Sequence, residues 1–129
     1  MNASATLLPG RSVLEIAGED RASFLQGVVT NDVEGLTEGE GRFAGLLSPQ
    51  GKILFDFFIV SAGDAFLVDC PRELAADLTK RLALYRLRAK VTIADVSDRW
   101  QVGATWGDGA ARWAKANGPR SQPHAVPWW

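Results

Sequence analysis

The stretch Phe43–Val60, FAGLLSPQGKILFDFFIV, decides how this chain folds. Two apolar runs, Arg42–Ser48 and Ile53–Val60, are separated by Pro49, Gln50, Gly51 and Lys52. Proline presets the backbone at the second position of a turn and glycine accepts a positive φ, so the two runs are expected to pair as a β-hairpin. Ser61 to Asp64 (SAGD) offers a second turn, and Ala65–Cys70 (AFLVDC) then adds a third strand to the meander. The sheet is therefore at least partly antiparallel.

Upstream, Ser12–Ala17 (SVLEIA) reads as a short strand ended by Gly18. From Glu19, the segment EDRASFLQGVV places Ala22, Leu25 and Val29 at helical spacing, with Glu19 and Asp20 in the first turn, where the macrodipole favours carboxylates. Thr30 to Gly41 is polar and glycine-rich, which suits a loop. Downstream, Pro71 can open a second helix, because its missing N–H is not needed at the first helical position. Leu74, Leu78, Leu82 and Tyr85 supply that helix with an apolar stripe. Val91–Val96 and Trp100–Trp106 alternate as strands joined by a turn at Asp98 and Arg99. The expected order is β-α-β-β-β-α-β-β, an α+β fold with a mixed, mainly antiparallel sheet and two helices. Residues 1–11 are expected to be a loose leader and 12–106 the folded domain. Residues 107–129 are expected to form an irregular tail rich in Gly, Pro and Trp, either leading toward a missing neighbour that would cover Trp128 and Trp129 or folding both rings back on this domain.

At 129 residues the chain has the size of one domain. It is 47% hydrophobic and 22% charged, in short apolar runs, so collagen-like, disordered and membrane-spanning classes are excluded from expectation. A net charge of -1 provides no broad positive field for a phosphate backbone or a lipid surface, so neither nucleic acid nor membrane is an expected partner. The single cysteine, Cys70, precludes an internal disulfide framework or a cysteine-rich zinc site, and no metal site is expected. Cysteine usage and the absence of a signal-like start suggest a cytoplasmic protein.

Asp56 is the most informative side chain, because Phe55, Phe57, Phe58 and Ile59 surround it. Burying an ionised carboxylate costs several kcal/mol (order of magnitude) unless it is paired. Strand alternation sets Asp56 with Leu54, Phe58 and Val60, opposite Phe55, Phe57 and Ile59. Asp56 is thus expected either to point into an apolar pocket that holds a planar, donor-rich heterocycle, or to face water or pair with an arginine on an edge strand. Thr30, Asn31 and Asp32 form a second candidate cluster, although turn chemistry accounts for those residue types equally. Gln50, Gly51 and Lys52 offer backbone N–H groups and a cation to an anion, or form a plain turn. Arg86, Arg88 and Lys90 concentrate positive charge at the end of the second helix, fit to complement the dipole or to meet a flexible polycarboxylate. His124 is given no catalytic role, and Cys70 reads as a small buried hydrophobe.

Four segments, GEDRASFLQGVVTNDV (Gly18–Val33), FAGLLSPQGKILFDFFIV, AFLVDC and LALYRLRAKVTIADVS (Leu82–Ser97), resemble in that order the N-terminal part of the folate-binding YgfZ family, relatives of the glycine-cleavage aminomethyltransferase. The resemblance covers about three quarters of the chain, residues 12–106. It implies an aminomethyltransferase-like folate-binding α+β fold around a cavity completed by a missing half or a second copy. It also implies tetrahydrofolate, or a derivative, as cofactor. Asp56 would accept hydrogen bonds from the pterin, Asn31 and Asp32 would line the cavity, and Gln50 with Lys52 would sit at its mouth. In the YgfZ branch the implied role is accessory: assembly or maintenance of iron–sulfur enzymes, with client proteins or assembly factors as partners. The alternative is an aminomethyltransferase in which Asp56 is catalytic. Two departures from the transferase pattern favour the accessory branch: Phe55 stands where transferases carry the first of two acids, and Lys52 replaces the second glycine of a pair. The family's downstream lysine-glycine-cysteine-tyrosine motif has no counterpart here.

Overall fold

The computed structural model describes residues 4–110. Along the chain run β1 (Ser4–Leu7), β2 (Arg11–Ala17), α1 (Arg21–Val28), β3 (Gly41–Leu47), β4 (Ile53–Ser61), β5 (Ala65–Pro71), α2 (Ala75–Arg86), β6 (Thr92–Asp95) and β7 (Gly103–Trp106), with a 3-10 turn at Arg72–Leu74 before α2. Five strands form one sheet in the order β3-β4-β5-β2-β6, and β1 pairs with β7 in a separate two-stranded ribbon. Each pairing among these strands is antiparallel. The α+β architecture with two helices is as expected, and the hairpin and meander from β3 to β5 form where the turn residues place them.

One strand is additional. Ser4–Leu7 lies within the stretch expected to be loose, yet it pairs in register with Gly103–Trp106, Ser4 opposite Trp106 and Leu7 opposite Gly103. Its four residues are all exposed, so no apolar alternation announces it. The expected packing of Trp128 and Trp129, the surroundings of His124 and the course of the tail past Ala110 lie outside the described residues.

Strand alternation divides the five-stranded sheet into two unlike faces. Leu14 and Ile16 of β2, Phe57 and Ile59 of β4, and Val68 and Cys70 of β5 point to the inner face and are each at most 1% exposed. Phe24 and Leu25 of α1 and Leu78 and Leu82 of α2 join them in one core cluster. Fully burying one such side chain contributes roughly 1.5–3 kcal/mol, so the inner face carries the stability of the fold.

The helices start later than the spacing suggested. No acidic residue lies in the first turn of α1; the Asp20 carboxylate instead accepts from the Lys90 N–H at 2.8 Å, tying the start of α1 to the chain before β6. Gly18 has φ +114°, and a Cβ there would collide with the Lys90 carbonyl, so close approach of two backbones requires glycine at that position. Pro71 closes β5 rather than opening a helix, and Leu74 stands outside α2, 36% exposed, while Ala75 takes the buried place.

Candidate functional site

The outer face of the β3–β4 hairpin holds the most informative residue. Asp56 is exposed there, with Leu54 and Phe58 on the same face. Its carboxylate has no hydrogen bond or ion pair to a described residue. The expectation that it points into an apolar pocket is therefore corrected: alternation assigned its neighbours rightly, but both helices pack on the opposite face. A groove of about 700 Å³ lies elsewhere, between α2 and the turn after β6, and Asp56 does not line it.

The surroundings of Asp56 are nonetheless built. Its cross-strand neighbour is Gly45, and the next pair on the same face of the hairpin is Phe43 with Phe58. Those two rings meet with centroids 5.1 Å apart at a tilt of 55°, and Phe43 remains 42% exposed. Gly45 is buried, and glycine is needed there because the sheet is close-packed at that point: a Cβ would lie 3.2 Å from the Phe55 carbonyl oxygen and 3.7 Å from the Ile53 side chain and the Thr30 hydroxyl. Leu54, 37% exposed, precedes Asp56 on the same face, so Asp56 stands between Leu54 and the aromatic pair. Beyond Phe58, cross-strand Asp69 is held by Arg11, whose Nε donates to its carboxylate at 2.8 Å. Burial pushes the Asp69 carboxyl above its ordinary value, with the Arg11 hydrogen bond and charge opposing.

Thr30 and Asn31 seal the edge of β3, and Asp32 follows them in the loop. Val29 bridges Leu46, the Thr30 N–H donates to the Gly45 carbonyl at 3.0 Å, and the Thr30 hydroxyl accepts from the Gly45 N–H at 2.8 Å. The Asn31 amide donates to the Phe43 carbonyl at 3.0 Å, and its side-chain oxygen accepts from the Asp32 N–H at 2.8 Å. Asn31 is thus committed to backbone partners, as its turn chemistry allowed. The Asp32 carboxylate is exposed and has no hydrogen-bond partner among the described residues. Two strand spacings separate Thr30 from Asp56, roughly 10 Å of backbone distance, so the edge and the carboxylate border one shallow surface.

Gln50 and Lys52 lie at the hairpin tip. Ser48 consumes the N–H groups around it: its hydroxyl accepts from Gln50 at 3.2 Å and Lys52 at 3.1 Å, and its carbonyl accepts from Gly51 at 2.9 Å. The expected offer of backbone donors to an anion is therefore withdrawn, because the turn satisfies those donors internally. The Lys52 side chain remains exposed, four residues and roughly 13 Å along β4 from Asp56. Sequence reasoning overlooked Gly45 and Phe43, although the hairpin register and strand alternation place both opposite residues it had singled out.

Chemically, this surface combines a carboxylate that has no partner among the described residues with a partly exposed aromatic pair. It suits hydrogen bonding to paired N–H donors and stacking on a flat ring. Among the described residues no group of three or more His, Cys, Asp or Glu could hold a metal ion, and no helix is long and apolar enough to cross a membrane. Cys70 is buried, and burial pushes its thiol up to about 11, which removes it as a nucleophile near neutrality.

Comparison with known proteins adds three findings. The family described as the GCVT N-terminal domain matches residues 11–121. A mitochondrial iron-sulfur cluster assembly factor IBA57 homolog of Cryptococcus neoformans is 32% identical over 127 residues, covering 91% of this chain and 33% of the relative. The mitochondrial iron-sulfur cluster assembly factor IBA57 of Homo sapiens is 33% identical over 99 residues, covering 67% of this chain and 28% of that protein. Among solved structures, the glycine cleavage system aminomethyltransferase T from Bartonella henselae superposes with a TM-score of 0.76 at 17% identity over 97% of this chain and 32% of its own, which is a likeness of fold. The chain thus spans about a third of the length of these relatives. Their names overturn the cytoplasmic expectation, since both assembly factors are mitochondrial. A low cysteine count separates oxidising from reducing surroundings and resolves the compartment no further.

Proposed function

Because this chain belongs to the GCVT N-terminal domain family, we propose that it is the first module of an iron–sulfur cluster assembly factor and that its outer sheet face forms one wall of a folate site. The assembly role, and a mitochondrial place of action, rest on the names of the relatives, at 32% and 33% identity. The folate reading rests above all on Asp56, an exposed carboxylate without a partner among the described residues, on the same sheet face as the Phe43–Phe58 ring pair. Tetrahydrofolate fits that chemistry: its pterin presents paired N–H donors to a carboxylate and a flat ring for Phe43 and Phe58. Asp56 would orient the pterin, and Asp32 at the sealed edge with Lys52 at the hairpin tip would border the rest of the ligand. The Asn31 amide would hold the β3 edge in place rather than touch folate. The opposite wall would come from a further part of the protein or a second copy, and iron–sulfur client proteins would be the partners of the whole.

An aminomethyltransferase reading has weaker support. It draws on a likeness of fold, whereas the relatives found by sequence are named as assembly factors. Phe55 and Lys52 also depart from the transferase pattern.

Tetrahydrofolate titrated against the chain extended to the length of its relatives, followed by calorimetry, tests the folate reading. Micromolar binding is expected, weakened roughly 10- to 100-fold by Asp56→Ala, since a hydrogen bond to a charged group contributes about 1.5–3 kcal/mol. Unchanged affinity in the variant removes Asp56 from the site, and no binding to the parent removes the folate reading. Formation of methylene-tetrahydrofolate from an aminomethyl-lipoyl carrier would favour the transferase instead.

A further inference from the structure

The end of α2 carries a feature that neither the core nor the folate surface uses. The Ala89 N–H donates to the Arg86 carbonyl at 2.8 Å, so Arg86 to Ala89 form a tight turn with Leu87 at its second position. Leu87 has φ 45° and ψ -112°. These values lie near the first central position of a type II′ turn, where glycine dominates because a Cβ is disfavoured there. Among the described residues each other positive φ belongs to glycine: Gly18, Gly39, Gly51, Gly63 and Gly107. Leu87 is also 88% exposed, so its side chain gains little from packing in this chain. Strain at a residue that the fold does not need points to a role at the surface.

Leu87 is not isolated. Leu84, in the last turn of α2 and three residues before Leu87, is 68% exposed. Lys80 and Arg81 precede Leu84 by one helical turn and Arg88 follows Leu87 in the chain, and none of these cations has an ion pair with a described residue. Asp77 is the one acidic residue within α2. The patch is thus an apolar knob in a basic rim on a chain whose net charge is -1.

We propose that Leu84 and Leu87 form a docking knob for a protein partner that presents an apolar helix face flanked by carboxylates. The rim supplies charge complementarity and orientation, and the leucines supply the desolvated centre. The strained turn keeps Leu87 projecting beyond the helix end, where glycine would leave the knob blunt. A partner protein is favoured over a lipid surface because two leucines with three cations offer a small, shaped contact rather than a long amphipathic face.

The test uses the full chain and a fluorescein-labelled helical peptide with a leucine stripe flanked by glutamates. Comparison probes are the same peptide with lysine for glutamate and vesicles of mixed neutral and anionic phospholipid. The acidic peptide should bind at least roughly tenfold more tightly than the basic one. Leu87→Gly should leave the melting temperature unchanged or raise it while lowering affinity for the acidic peptide at least roughly fivefold, since the turn prefers glycine and binding needs the side chain. Arg81→Glu combined with Arg88→Glu should abolish the preference between the peptides. Equal binding of both peptides, undiminished binding by Leu87→Gly, or preferential binding to vesicles would overturn the proposal.

Discussion

The two faces of β4 make an instructive contrast. Phe57 and Phe58 are adjacent, yet the first is 1% exposed beneath the helices and the second lies beside Asp56 on the outer face. On the inner face, aliphatic and aromatic side chains satisfy one another and hold the fold. On the outer face, partly exposed aromatic rings stand with a carboxylate that has no partner among the described residues, on a surface less packed than the inner one. One face specifies the shape of the chain, while the other is free to serve recognition.

The largest expected effect tests the inner face. Phe57→Ala should destabilise the chain by about 3–5 kcal/mol in urea unfolding, the usual range for emptying an aromatic site in a core. A loss comparable to that of an outer-face residue would break the contrast. On the same inner face, Cys70 should resist a thiol reagent at pH 8 in the folded chain and react promptly after unfolding, given a thiol pushed up to about 11 by burial. Rapid native labelling would reveal an opening at the sheet that the packing does not provide.

Phe58→Ala should cost about 1 kcal/mol, mainly its ring contact with Phe43. Asp69 sharpens the contrast through pH. Its carboxyl is raised chiefly by burial, so the folded chain holds that proton more tightly than the unfolded chain. Its contribution to stability therefore declines as pH rises from the ordinary carboxylate value through the raised folded value. Asp69→Asn, which keeps an acceptor for Arg11, should flatten that part of the stability profile in urea melts across the acid range. The smallest change belongs to Asp56→Ala, within roughly 0.5 kcal/mol, because an exposed and unpartnered carboxylate contributes little to folding. A cost above about 2 kcal/mol in thermal unfolding would show that Asp56 is structural after all.

Much of the fold could be read from the chain, because hairpin turns and alternation act locally. Pro49, Gly51 and the SAGD turn fix β3 to β5 in succession, and Leu78 and Leu82 mark the buried side of α2. Ser4–Leu7 escaped notice because its pairing partner lies about a hundred residues away and its side chains carry no pattern. Alternation grouped Asp56 with Leu54 and Phe58, but which group meets water depends on where α1 and α2 settle, a matter of tertiary packing. Asn31 showed the other limit: an amide suits a ligand or a backbone edge equally, and only the proximity of the Phe43 carbonyl decides between them.

The sealed edge of β3 has a bearing on how the sheet can grow. Thr30 and Asn31 already occupy backbone groups of Gly45 and Phe43, so an incoming strand finds no open row of donors and acceptors on that flank. β6 ends the sheet on the other side. Strand addition at the β3 flank is thereby blocked, which shields the aromatic hairpin from runaway strand stacking.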